Sequence, residues 1–113
     1  HFSAFHLEDD SSTSLAYNSA AELQNGTGFQ PLTRNVGSGA TEGTCGFIHL
    51  YNPSGTTHVK HFMARSSAHA ANDNCYDNYS AGYFNTTSAI TGIQFKATSG
   101  NLEAGTFKLY GVN

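Results

Sequence analysis

The stretch CGFIHLYNPSGTTHVKHFMA, residues 45–64, predicts a β-hairpin and decides the fold class. Ile48 and Leu50 fall on one face of its first strand, because successive side chains of a strand alternate between faces. Pro53-Ser54-Gly55 forms the turn, in which proline presets φ and glycine adds conformational freedom. TTHVKHFMA, residues 56–64, returns as the partner strand. The second face of the first strand carries Phe47, His49 and Tyr51.

Further strand patterns lie on both sides of this hairpin. Before it are HFSAFHL (1–7) and the weaker SLAYNS (14–19). After it are GYFNTT (82–87), SAITGIQFKAT (88–98) and TFKLYGV (106–112). The last two alternate apolar and polar positions, so each is expected to bury one face.

The segments between these patterns indicate loops. Residues 25–44 are rich in glycine and threonine, and residues 66–80, SSAHAANDNCYDNYS, are polar enough to predict a long surface loop. Ser99-Gly100-Asn101 predicts a turn. Residues 19–24 give the one helical pattern, about a single turn.

Six to eight short strands without helical crossovers predict an all-β protein, a single antiparallel β-sandwich of jelly-roll type. At 113 residues, one domain over residues 1–113 is expected. The chain begins at His1, which leaves open a processed product or the C-terminal part of a longer chain. Six side chains are expected to point inward: Ile48, Leu50, Ile93, Phe95, Phe107 and Leu109.

Composition argues against two classes of partner. The formal net charge is −3, and the five Lys and Arg residues are scattered, so no basic surface for nucleic acid is expected. The longest apolar run falls far short of a membrane span, so no membrane partner is expected.

Three stretches resemble a set of small bacteriophage virion proteins: LYNPSGTTHVKHF, GYFNTTSAITGIQF and SGNLEAGTFKLYGVN. The resemblance covers most of residues 45–113 and leaves out residues 66–80. The matching positions are Asn52 to Thr57, Lys60, Gly82, Tyr83, Thr87, Ala89, Ile90, Ile93, Phe95, Ser99 to Asn101, Gly105, Phe107 and Leu109 to Gly111.

The resemblance implies a β-sandwich or jelly-roll domain of capsid-decoration, tail or tail-fibre type. It implies a structural role on the virion surface. We expect copies of the chain and other virion structural proteins as partners, because a small sandwich must cover its strand edges, and a trimer or higher assembly would do so. It carries no catalytic residue.

The residues themselves point to no catalytic, metal or cofactor site. His58 and His61 fall on opposite faces of a strand and cannot chelate one ion together. Asp73 and Asp77 lack the spacing of a calcium loop, and the sequence has no Gly-X-Ser-X-Gly elbow. We therefore predict a protein that is not an enzyme and holds no metal or cofactor.

Aromatic and polar side chains in and after the expected loop form a candidate contact region for a ligand or partner. Aromatic rings stack on sugars while carboxylates bind hydroxyl groups, and tyrosine equally suits protein contacts. A carbohydrate-binding module for host recognition therefore stays open as an alternative. The candidate residues are Asp73, Tyr76, Asp77, Tyr79 and Tyr83.

Two further features leave alternatives open. Cys45 and Cys75 could close a loop of about 30 residues as a disulfide, worth ~3–4 kcal/mol, or remain separate thiols. Asn25, Asn78 and Asn85 begin Asn-X-Ser/Thr sequons. Glycans at these sites would indicate an extracellular filament subunit instead of a phage product.

Overall fold

The computed structural model describes residues 1–112, which fold around one five-stranded antiparallel sheet. The strand order across the sheet is β2-β1-β5-β4-β3. The described helical structure is a single 3-10 turn, Ser19–Ala21, so no described helix could cross a membrane. The strands are β1 (Phe2–Leu7), β2 (Thr13–Tyr17), β3 (Thr44–Leu50), β4 (Lys60–His69) and β5 (Asn74–Phe84).

The predicted all-β antiparallel class and the hairpin are confirmed. β3 pairs with β4 so that Ile48 lies opposite Ala64 and Leu50 opposite Phe62. The return strand begins at Lys60, four residues later than predicted, because Thr56 and Thr57 belong to the connection. The two N-terminal strands and the short helical turn also form close to their predicted places.

The expected loop over residues 66–80 is wrong, because β4 and β5 run through almost all of it. A tight turn at residues 70–73 joins them, where the Ala70 N–H donates to the Asn74 carbonyl at 3.0 Å. Small and polar side chains alternate between buried and exposed along β4. The polar composition of these residues is typical of a loop, whereas their alternation of buried and exposed positions is typical of a strand.

The expected strands at residues 88–98 and 106–112 are absent from the described structure, which has no strand after Phe84. Ile90 N–H donates to the Pro53 carbonyl at 2.8 Å, but residues 91–112 make no backbone hydrogen bond. A β-strand forms only where a neighbouring strand hydrogen-bonds to its backbone. The alternation of apolar and polar residues is therefore not enough to make these two segments strands.

The inward orientation expected of six side chains fails for four of them. Ile48 and Leu50 are half-buried, as expected for the edge of a sheet. The exposed side chains are Ile93 (45%), Phe95 (38%), Phe107 (66%) and Leu109 (94%).

Residues 18–43 lie against one side of the sheet, which we call the covered face. The Ser66 hydroxyl donates to the Leu32 carbonyl at 3.0 Å, and Gly37 N–H donates to the His69 carbonyl at 3.1 Å. Small and polar side chains let this segment approach closely. The buried side chains of the covered face are Lys60, Phe62, Ala64, Ser66, Ala68, Asn74, Asn78 and Ser80.

Lys60 and Asn78 are the largest fully buried side chains in the described part of the chain. The Lys60 ammonium donates to the carbonyls of His58 at 2.7 Å and Thr87 at 3.3 Å. Asn78 Oδ1 accepts from the Ser3 hydroxyl at 2.9 Å. The interior of this face is therefore held by hydrogen bonds as much as by apolar contact.

Candidate functional site

The side of the sheet opposite the covered face, which we call the open face, is the candidate site. Directly paired residues point to the same side of a sheet, so the register assigns side chains to this face. Eight large side chains on it are 41–73% exposed, which shows that no described segment covers them. They are Phe2, Leu15, Tyr17, Phe47, Tyr51, Met63, Tyr79 and Tyr83.

The pairing register sorts the open face into rows that cross the strands. One row, which we call the aromatic ridge, consists of large side chains: Tyr17, Phe2, Tyr79, Arg65 and Phe47. The adjacent row, which we call the groove, has short side chains on four strands, Ala4, Asp77, Ser67 and Cys45, and the large Leu15 on β2. A cavity of about 600 Å³ lies along the groove, with Cys75 in its lining. The open face is therefore corrugated.

Charged groups on the open face form one hydrogen-bonded cluster at its centre. Arg65 binds Asp77 through two contacts, Nε to Oδ1 at 3.0 Å and Nη2 to Oδ2 at 2.6 Å. The Tyr79 hydroxyl donates to the same carboxylate at 2.8 Å. The Arg65 guanidinium also lies 4.8 Å from the centre of the Tyr79 ring, a cation–π distance.

These contacts change the protonation equilibria of the cluster. Hydrogen bonding to Arg65 holds the pKa of Asp77 below its ordinary value, and the carboxylate in turn raises the pKa of Tyr79. The side chains of Arg65 and Asp77 are 53% and 32% exposed. Water therefore screens the pair, which orients the two groups more than it stabilises the fold.

Rings beside this cluster pack against each other across the strands. Phe2 and Tyr17 meet edge to face with ring centres 5.2 Å apart, and His61 lies 5.9 Å from Tyr83. The Tyr51 hydroxyl reaches the Met63 sulfur at 3.7 Å. These contacts fix the rings in place while leaving their outer surfaces exposed.

The structure divides the five candidate contact residues. Asp77, Tyr79 and Tyr83 lie together on the open face. Tyr76 lies on the covered face, where its ring is 5.6 Å from Phe5, and Asp73 lies in the β4–β5 turn.

Sequence reasoning missed Arg65 and Phe47, which belong to the same face as these three. The signal that could have found them is the alternation along residues 60–69, once those residues are assigned to a strand.

Both cysteines are free thiols in the structure. Cys45 is on β3 and Cys75 on β5, with β4 between them. Two strand spacings of ~4.8 Å exceed the ~7 Å between Cα atoms that a disulfide can bridge, so bonding would require the sheet to rearrange. Of the three sequons, Asn25 and Asn85 are exposed, whereas Asn78 is fully buried and inaccessible to a glycan in the folded chain.

The six histidines are spread over the molecule. Four of them, His6, His49, His61 and His69, lie on the open face, while the His1 ring lies on the covered face and contacts the Ser80 hydroxyl at 2.6 Å. Within residues 1–112, no three His, Cys, Asp or Glu side chains are placed to hold a metal ion.

These features define an all-β protein built on a single antiparallel sheet with one exposed aromatic face. No protein-family model matches the chain, and neither the curated proteins nor the solved structures include a significant match. The resemblance to phage virion proteins therefore stays a prediction from the sequence.

Proposed function

We propose that this protein is a non-enzymatic structural component of a phage virion surface, in a capsid-decoration or tail and fibre position. It acts through contacts with copies of itself and with other virion proteins, and it displays the loops at the ends of its strands. The observation that carries the structural role is the uncovered open face with its eight large exposed side chains. The sequence resemblance supports the assignment to a phage.

The size of the exposed patch supports a role in assembly. Six of the eight side chains are aromatic and present about 150–250 Å² each; together with Leu15 and Met63, and about half exposed, the eight offer roughly 800 Å². The largest apolar patch on a typical monomer is only ~300–600 Å², and larger patches mark interaction surfaces. A chain that remained monomeric in water would leave this area unburied.

The proposal includes the two-layer β-sandwich of jelly-roll type that the sequence predicts, as the architecture of the assembled protein. The described sheet is one layer, and its open face meets the second. Residues 91–112 contribute further strands, since their backbone groups have no partners in the described structure and their apolar positions alternate.

Immunogold electron microscopy tests the assignment to a virion. Antibodies raised against the purified chain should label intact phage particles from the virus that encodes it, at regular positions on the capsid or the tail. Particles that remain unlabelled, while denatured particles also lack the chain by mass spectrometry, would contradict the proposal.

Carbohydrate binding at the open face is the second candidate. Tyr79 and its Asp77 and Arg65 partners form an aromatic and polar centre in a shallow surface, which is the arrangement that stacks on and hydrogen-bonds a sugar. A glycan array should then give selective binding that Tyr79→Ala abolishes. Tyr76→Ala is the matched control, because Tyr76 lies on the covered face. Equal losses in both variants would exclude a sugar site on the open face.

A further inference from the structure

We propose that the layer covering the open face is the open face of a second copy of this chain. The dimer adds detail to the proposed function. It rests on that function only for the statement that copies of the chain meet in a virus particle. The dimer is isologous: each copy contributes the same surface, and a two-fold axis relates the two copies.

The area of the open face agrees with this partner. The roughly 800 Å² that the eight exposed side chains offer matches the ~800 Å² that each partner buries in a standard interface. Five strands at ~4.8 Å spacing make the sheet about 20 Å wide. A surface of that width fits the face of another sheet, since sheets pack face to face at ~10 Å.

The charges of the open face are compatible with self-association. Its only Lys, Arg, Asp or Glu side chains on the described strands are Arg65 and Asp77, and these two neutralise each other at 2.6 Å. Glu8 and Asp73 lie at the rim of the face, 4.0 and 3.9 Å from His69 Nε2, so two copies brought face to face place no unpaired like charges against each other at its centre. A strongly charged partner would gain little from such a surface, whereas an identical copy meets no repulsion.

The corrugation of the open face suits an identical partner. The aromatic ridge and the groove are neighbouring rows that cross the strands. A two-fold axis that lies in the interface, along the line between the two rows, places the ridge of each copy over the groove of the other. Phe47 of one copy then packs over the small side chains beside Cys45 of the other and enters the cavity of about 600 Å³. Symmetry therefore places large side chains over short ones on four of the five strands, while on β2 Tyr17 meets Leu15.

Sedimentation velocity over a range of protein concentrations tests this dimer. The wild-type chain should change from monomer to dimer as concentration rises, and Phe47→Asp should weaken the dimer roughly tenfold or more. Phe47 is 56% exposed, so this change leaves the buried interior intact. The matched control is Leu102→Asp, which alters a side chain of similar exposure, 53%, outside the sheet, and it should leave the dimer unchanged.

Thiol accessibility gives a second, mutation-independent readout. Cys45 is exposed in the described chain, so in a Cys75→Ser background it should react with a maleimide more slowly as the dimer forms. A wild-type chain that stays monomeric at every concentration would overturn the inference. So would a dimer that resists Phe47→Asp, or a monomer whose Tyr79 face binds glycans.

The outcomes separate this inference from the proposed function. Labelled virions together with a chain that does not self-associate through the open face would refute the dimer alone. A dimer sensitive to Phe47→Asp, from a chain absent from virions, would refute the virion assignment and leave the dimer standing.

Discussion

Gly46 of β3 leaves no room for a side chain beside β4. A Cβ atom there would come within 2.5 Å of the Arg65 carbonyl oxygen, so any side chain forces the two strands apart. We expect Gly46→Ala to lower the free energy of unfolding by about 1–3 kcal/mol, the usual cost of overpacking. Urea unfolding followed by circular dichroism measures the change.

Gly92→Ala is the matched control for this substitution. No atom lies within 4 Å of a Cβ placed at Gly92, so its effect should stay below about 1 kcal/mol. Equal losses in the two variants would mean that the β3–β4 approach is not the cause.

The Asp77 carboxylate should make stability depend on pH at the acid end. Its pKa in the folded chain lies below that of an unfolded aspartate, about 3.9, because Arg65 and Tyr79 hydrogen-bond to the charged form. The Asp77 carboxylate therefore makes its full contribution to the free energy of unfolding above ~pH 5, and this contribution is lost as the pH falls through the pKa of the folded chain.

Thermal unfolding of the wild type and Asp77→Asn from pH 7 to ~pH 2 measures this contribution. The wild type should be the more stable at neutral pH, and the difference should shrink below ~pH 4. A difference that persists unchanged at the acid end would show that the charge of Asp77 is irrelevant to it.

The edge of β3 that faces away from β4 has no partner strand in the described structure and is suited to accept residues 91–98 as a sixth strand. The Ile90–Pro53 hydrogen bond lies just beyond the end of β3. Farther along, the Lys96 ammonium lies 4.2 Å from the Phe29 ring, and Thr33 of the same segment contacts Thr44, the first residue of β3. We therefore expect residues 90–96 to follow β3 in the antiparallel direction.

Antiparallel continuation from Ile90 and Pro53 places Ile93 opposite Leu50 and Phe95 opposite Ile48. Thr98 then lies opposite Cys45, so Thr98→Cys in a Cys75→Ser background should form an intramolecular disulfide under mild oxidation. Intact mass and a non-reducing gel detect it as a monomer that has lost two free thiols.

Ala97→Cys is the control for this register, because its side chain points to the other side of the strand. Equal oxidation of the two variants, or only covalent dimers, would contradict the register.

Strands with strong alternation could be predicted from the sequence, and strands with a polar buried face could not. The β3–β4 hairpin was predictable because Ile48 and Leu50 alternate with rings. β5 was not, because Asn74, Asn78 and Ser80 face its buried side, where Asn78 and Ser80 hydrogen-bond to Ser3 and His1. Residues 106–112 show the reverse, since their apolar alternation has no partner strand in the described structure.

The candidate site was only partly predictable for the same reason. The sequence predicts Asp77 and Tyr79 as contact residues within a loop, and Tyr83 in the short strand that follows it. Their grouping with Arg65 and Phe47 depends on pairing across three strands, and local sequence does not encode register between distant segments.

For the whole molecule, the apolar area on the open face exceeds what a monomer of 113 residues usually exposes. Its interior is small and polar on the covered face, so much of its apolar surface remains exposed. Assembly should therefore stabilise the chain, and its thermal midpoint should rise with protein concentration. Differential scanning fluorimetry over a concentration series measures this, and an invariant midpoint would contradict it.

Hydroxyl-radical footprinting below and above the concentration of assembly tests most directly whether the open face is the assembly surface. We predict that Phe47, Met63 and Tyr83 lose reactivity on assembly while Tyr76, on the covered face, keeps its reactivity. Assembly that leaves these three side chains as reactive as in the monomer would contradict the account.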